Sequence, residues 1–265
     1  MKPLRLLLTL ALLTLPGVVS AASPDFSWKG ALARGKVLRV AGISGHIEAT
    51  RASGSEASVT AVKSGKSDRL DEITIEATPS PSGMTICAVY PARHGGRTRC
   101  TTKGIQGEVD DVDNAEVDFT IHVPDGVRLE TEQVNGSIEA EDLGGDVQAA
   151  SVNGTITIGT TGLAEASTVN GSIYASMGRE SWSNAIHFST VNGSIRLTLP
   201  RGVDTDVSAE SVNGSFRSDF PSQTMKAVWG GAGSMRARIG SGTSKLRLST
   251  VNGDISLMRS GERVD

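Results

Sequence analysis

Apolar and polar residues alternate with a period of two along most of the chain, in short runs punctuated by the same corner. Val134-Asn135-Gly136-Ser137-Ile138 recurs as Val152-Asn153-Gly154-Thr155-Ile156, then from Val169, Val191, Val212 and Val251. The asparagines are spaced 18, 17, 22, 21 and 39 residues apart. The last interval is about two repeats, so a degenerate copy is expected at Ala232-Gly233-Ser234-Met235, giving about seven coils. A weaker copy, Ser44-Gly45-His46-Ile47, precedes them. After each corner the pairs Ile138/Ala140, Ile156/Ile158, Ile173/Ala175, Ile195/Leu197 and Ile255/Leu257 alternate with polar residues. This is the pattern of a strand with one buried face. No helical periodicity competes with it.

Asn-Gly between alternating strands is also a strong hairpin signal, so an antiparallel meander is the rival reading. It would need a sheet so wide that it must close or split. Identical corners at near-constant spacing favour an all-β parallel β-solenoid instead, with about seven regular coils after an irregular strand-rich cap. In that reading Asn135, Asn153, Asn170, Asn192, Asn213 and Asn252 form a turn ladder through their side-chain amides. The glycine takes the positive φ of the corner. Five corners also read as Asn-Gly-Ser/Thr, an N-glycosylation pattern that a repeated corner generates by itself.

Upstream, Val37–Val40, Ala57–Val62, Ile73–Ile75, Met84–Val89 and Val117–Val123 read as further strands, with a turn at Pro79–Gly83 and another at Pro124-Asp125-Gly126. The chain thus divides into 1–22, 23–123 (strand-rich part and cap) and 124–260 (regular solenoid). The stretches Val123-Pro124-Asp125-Gly126-Val127, Gln133 to Ile138, Leu143-Gly144-Gly145-Asp146-Val147 and Ser151 to Gly154 resemble the putative adhesin domain family of bacterial envelope proteins. The resemblance covers about residues 35–260. It implies a β-solenoid in an exported or envelope setting and brings no catalytic residues with it.

Residues 1–22 have the layout of a secretory signal peptide. Lys2 and Arg5 precede the apolar run Leu6–Leu15, a break at Pro16-Gly17, and the small residues Ser20, Ala21 and Ala22. The expected location is therefore periplasmic, extracellular or cell-surface, with no transmembrane segment in the mature chain. Export changes the reading of Cys87 and Cys100, which are the only cysteines. In an oxidising compartment they are expected to pair as a disulfide. A metal site built from them and His94 lacks a fourth ligand.

Composition narrows function mostly by exclusion. A net charge of −3 and a pI near 5.9 argue against a polybasic nucleic-acid binder. Charge is uneven, however: residues 101–150 carry 13 acidic and 2 basic side chains, and residues 221–265 carry 3 acidic and 7 basic. The acidic Asp110–Asn114 stretch lacks the remaining positions of a calcium loop and reads as a solvated loop. No cofactor is expected. Counting one residue beyond each inward position gives an outward column in which Arg196, Arg217 and Arg236 fall on successive coils, with Arg238 beside the last. This is a possible anion-binding track. The expected partner is an anionic envelope polysaccharide or an envelope protein. The expected function is a non-catalytic, exported, adhesin-like solenoid. The alternative is a polysaccharide-acting β-helix enzyme, a lyase or glycoside hydrolase, using carboxylates such as Asp204, Asp206 and Asp219.

Overall fold

The alternating runs become strands that shuttle between two facing sheets. The computed structural model describes residues 24–66, 69–92, 95–108, 114–225 and 233–261. The leader-like segment, His94 and the Asp110–Asp113 cluster lie outside these. Each regular repeat contributes one strand that enters the Val-Asn-Gly corner and one that leaves it. The entering strands, such as Arg128–Asn135, Val147–Asn153 and Ala164–Ser167, belong to an 11-stranded sheet. The leaving strands, such as Ile138–Leu143, Ile156–Thr160 and Ile173–Met177, belong to a 10-stranded sheet. Like pairs with like in parallel: Leu129 faces Val147 in the entry sheet, and Ile138 faces Ile156 in the exit sheet. The corner therefore joins two sheets instead of closing a hairpin. The all-β parallel solenoid holds, and the meander does not.

The core lies between the sheets. Ile138, Ala140, Ile156, Ile158, Ile173, Ala175, Ile195, Leu197, Ile255 and Leu257 are all buried, as the alternation requires. They meet Leu129, Val147, Ala149, Ala164, Ala166, Phe188, Leu246 and Leu248 from the entry sheet. Each coil supplies only a few inward positions, so small and large residues share the gap and no large aromatic cluster is needed.

Coil order departs from chain order at both ends. In the exit sheet the strands run Ile47–Arg51, Ile138–Leu143, Ile156–Thr160, Ile173–Met177, Ile195–Leu199, Ile255–Arg259 and Phe216–Ser218. The Asn252 coil is therefore inserted between the Asn192 and Asn213 coils. Among its described residues the 39-residue interval holds no further parallel coil. Gly233–Ile239 pairs antiparallel with Thr205–Asn213, and Gln223–Met225 pairs antiparallel beyond it. These two strands cap the entry sheet, so the expected coil at Ala232–Met235 is absent: its described residues, 233–235, lie in a cap strand. The chain then crosses back through 240–243, and Ser244–Asn252 fills the gap between Ile186–Ser189 and Thr205–Asn213.

The N-terminal end does the same in reverse. Val37–Ala41 and Ile47–Arg51 form a coil beside Arg128–Asn135 and Ile138–Leu143. Gly83–Val89 and Ala115–Val123 stack on its other side. Antiparallel strands Glu56–Gly65, Phe26–Ala31 and Thr74–Ser80 close that end. Phe26–Ala31 is a strand beyond those expected, with Phe26 and Trp28 alternating with Ser27 and Lys29. Residues 24–123 and 124–260 thus share the same two sheets.

Three stacked features hold each corner. First, the glycines nest. A Cβ on Gly154, Gly171, Gly193 or Gly253 would lie 2.0 Å from the carbonyl oxygen of the neighbouring coil's glycine. Gly154, Gly171 and Gly193 do not occupy the left-handed region, so close approach of backbones, not positive φ, selects glycine there. Second, the asparagine amides chain together. Asn153 donates to Asn135 at 2.7 Å, and Asn170, Asn192, Asn252 and Asn213 continue the series at 2.8 Å each. These side chains are exposed and not buried. Third, the residue two before each asparagine turns inward and donates to a glycine carbonyl: Thr168 to Gly154, Thr190 to Gly171, Thr250 to Gly193 and Ser211 to Gly253, at 2.8–3.1 Å.

Candidate functional site

The structure splits the arginine column that counting along the chain had assembled. On the outer face of the exit sheet the row reads Glu48, Glu139, Thr157, Tyr174, Arg196, Ser256, Arg217. Ser256 separates Arg196 from Arg217 because the Asn252 coil sits between theirs. Arg196 lies over the Tyr174 ring at 5.9 Å, a cation–π contact. Arg236 and Arg238 are not on this face. They project from the cap strand Gly233–Ile239 on the outside of the entry sheet.

There they join residues that counting missed. Ser208 is in register with Arg247 on one side and Arg236 on the other. Asp206 is likewise in register with Lys245 and Arg238. His187 neighbours Arg247 on the next strand. These side chains floor a groove of about 980 Å³, walled by Pro221, Ser222 and Gln223. Four guanidinium or ammonium groups face two carboxylates, Asp206 and Glu210. Lys245 pairs with Asp206 at 2.9 Å. That hydrogen bond, with Lys245, Arg238 and Arg236 as nearby charges, holds the Asp206 carboxyl below the usual range. Neither Arg236 nor Arg247 has an ion-pair partner among the described residues. The signal for Lys245 and Arg247 was present in the sequence, since both alternate with buried Leu246 and Leu248. Only the inserted coil brings them beside the cap strand.

The opposite end of the same face carries mixed, internally paired charge, with Glu130 between Arg39 and Arg128. Glu130 is in register with Arg39 and Gln148, and Gln148 with Glu165. Arg39 and Glu130 form an ion pair beneath the hairpin Arg99–Thr101/Gly104–Gln106. Arg39 also donates to the Thr102 carbonyl. The hairpin is tied to the sheet by a disulfide between Cys87 and Cys100, with Cα atoms 5.5 Å apart. Under this strap, burial pushes the Glu132 carboxyl up.

Asp204 and Asp206, the carboxylates of the enzyme alternative, have structural partners. Asp204 accepts from the Ser241 hydroxyl and from the Gly242 and Thr243 amides, at 2.6 and 3.0 Å for the amides. The Ser241 hydroxyl bond above all lowers its pKa. Asp204 therefore fastens the turn by which the chain crosses back to insert its last coil. Asp219 accepts from the Arg259 amide. Glycoside hydrolysis needs one carboxyl kept protonated beside one ionised. Asp204 and Asp206 are both shifted toward the ionised form.

A two-sheet parallel solenoid with a basic groove at one end and a disulfide-strapped face at the other is thus the class of molecule. The chain belongs to the Toastrack DUF4097 family, which it matches over residues 18–258; this is the family to which the corner motifs pointed. It is similar to two solved structures. One is a putative cell adhesion protein from Clostridium sporogenes, 9% identical, covering 90% of this chain and 100% of that chain with a TM-score of 0.44. The other is a putative adhesin from Bacteroides fragilis, 12% identical, covering 88% and 96% with a TM-score of 0.30. No curated protein matches the chain. No helix among the described residues is long and apolar enough to cross a membrane.

Proposed function

We propose that the protein is an exported, non-catalytic, adhesin-like solenoid of a bacterial envelope. In this reading residues 1–22 are a cleaved leader. The mature chain resides in the periplasm or at the cell surface and binds an envelope polymer or protein through its outer faces. The observation that carries the reading is the corner. Nested glycines, buried hydroxyls and an amide ladder fix successive coils to one another, and that rigidity makes the two outer faces a fixed array of side chains at strand spacing. A disulfide-tied strap is in keeping with an oxidising compartment. The structural roles of Asp204, Asp206 and Asp219 favour this reading over a polysaccharide-cleaving enzyme.

The test is fractionation of cells expressing the full chain, with the mature N-terminus read by mass spectrometry. Cleavage near Ala21 or Ala22 and recovery on envelope material are expected. An intact leader with the protein in the cytosol overturns the reading. So does glycan cleavage that is abolished by Asp204→Asn or Asp206→Asn.

A further inference from the structure

We infer that the basic groove on the entry sheet is a binding site for a linear polysaccharide carrying carboxylates, of the polyuronate class. The inference rests on the surface-binding reading above and deepens it.

The argument begins with charge. The whole chain is net negative at −3, yet the groove gathers Arg236, Arg238, Lys245 and Arg247 around Asp206. Grouping like charges on adjacent strands is costly without a partner. Lys245 has one in Asp206, and Arg236 and Arg247 have none among the described residues. A polyanion supplies what they lack, and guanidinium groups are suited to take carboxylates in paired hydrogen bonds.

Geometry gives the second step. Arg247 and Arg236 stand on strands with one strand between them, about 9.6 Å apart at ordinary strand spacing. Lys245 and Arg238 repeat that interval one row over, with Asp206 between them. The cations thus form two rows, each separated at its centre by a hydroxyl or a carboxylate. A polymer with acid groups at regular intervals along one side fits such rows; a single small anion fills only one position. Asp206 disfavours an acid group at the centre of its row, so the groove selects for spacing as well as sign.

Shape and lining select among polyanions. Pro221–Gln223 wall the groove, which keeps the floor cations from lying flush on a flat bilayer. Among the described residues no Phe, Tyr or Trp lines it and His187 is the one ring, so it lacks the row of rings on which successive bases stack. Ser208, Ser222, Ser249 and Gln223 place hydroxyls and an amide among the cations, which suits sugar hydroxyls.

The experiment measures binding of the mature, disulfide-intact chain to polygalacturonate, to dextran, to vesicles containing anionic lipid, and to crude envelope material, across a salt series. Two variants carry equal charge changes: Arg236→Glu/Arg247→Glu in the groove and Arg196→Glu/Arg217→Glu on the exit sheet. An Arg236→Gln/Arg247→Gln pair guards against misfolding, and circular dichroism checks each fold. The parent should bind polygalacturonate but not dextran, and more weakly as salt rises. The groove variant should lose at least tenfold and the exit-sheet variant less than twofold. By counterion release, removing two phosphate-like contacts lowers the salt slope by about 1.4 to 1.8, and a similar drop is expected here. Equal losses in both variants overturn the groove inference, as do preference for vesicles or groove-dependent self-association in sedimentation. Retention on envelope material that is indifferent to groove reversal sinks this inference alone. Failure of the parent to bind any envelope material sinks the broader reading with it.

Discussion

Replacing Gly171 by alanine tests the nested corner directly. The new methyl carbon would lie 2.0 Å from the Gly154 carbonyl oxygen and 2.5 Å from its carbon, where ordinary contact begins at 3.4 Å. The blocking atoms are backbone, so no side chain can swing aside. The coils must part by roughly 1.4 Å to restore van der Waals contact. Four of the hydrogen bonds across that seam lie closest to the glycine: Gly154 N–H to Asn170 O at 2.9 Å, Ile156 N–H to Ser172 O at 3.0 Å, the Asn170–Asn153 amide pair at 2.8 Å, and Thr168 hydroxyl to Gly154 O at 3.1 Å. An opening of that size carries all four beyond hydrogen-bonding range. At about 1 kcal/mol net each, with some relaxation, the loss is about 3–4 kcal/mol. Urea unfolding of the mature, disulfide-intact protein reads it as a lower midpoint at constant slope. Gly54→Ala is the control, because a Cβ there meets nothing within 4 Å. It should be neutral within about 0.5 kcal/mol or slightly stabilising. If Gly171→Ala behaves like Gly54→Ala, steric nesting is not what selects glycine.

Thr190→Val keeps the shape but removes the hydroxyl that donates 2.8 Å to Gly171 O; a cost of about 1–2 kcal/mol by urea unfolding is expected, against a smaller one for exposed Asn170→Ala. Reducing the Cys87–Cys100 bond should cost up to about 3 kcal/mol in the chain-entropy account. It should also speed amide exchange in the 99–106 hairpin before the corner amides, whereas a uniform rise in exchange would contradict a strap role. The Asp204, Asp206 and Asp254 carboxyls all lie below their ordinary value of 3.8 when folded. The folded state therefore binds fewer protons, and their contribution is full above that value and lost as pH falls through the folded values. Melting temperature should drop in acid, and the Asp→Asn triple variant should show a shallower drop; an unchanged acid limb would remove these carboxylates from the account.

The local code of this chain was legible in order. Alternation identified the inward Ile, Leu and Ala residues, and the repeated Val-Asn-Gly identified corners, because both depend on neighbours two to five residues apart. The inward residues two before each asparagine, Gln133 at the first corner and Ser or Thr at the others, went unread in the sequence, although they fall in the buried phase of a strand. Their purpose appears only when the next coil's glycine carbonyl is in place. Positive φ, as expected, holds at Gly45, Gly136 and Gly253; at Gly154, Gly171 and Gly193 backbone crowding between coils selects glycine instead, and that is invisible to a one-dimensional pattern. What tertiary structure alone decided is the order of coils. Sequence spacing assigned the 213–252 interval a hidden repeat, but pairing free energy is set by which edges are free, not by chain proximity. An antiparallel cap covers one edge of Thr205–Asn213, the crossing turn held by Asp204 returns the chain, and Ser244–Asn252 completes both neighbouring edges. That insertion separates Arg196 from Arg217 and sets Arg247 beside Arg236, so the groove is a product of long-range pairing that no local pattern in the sequence could reveal.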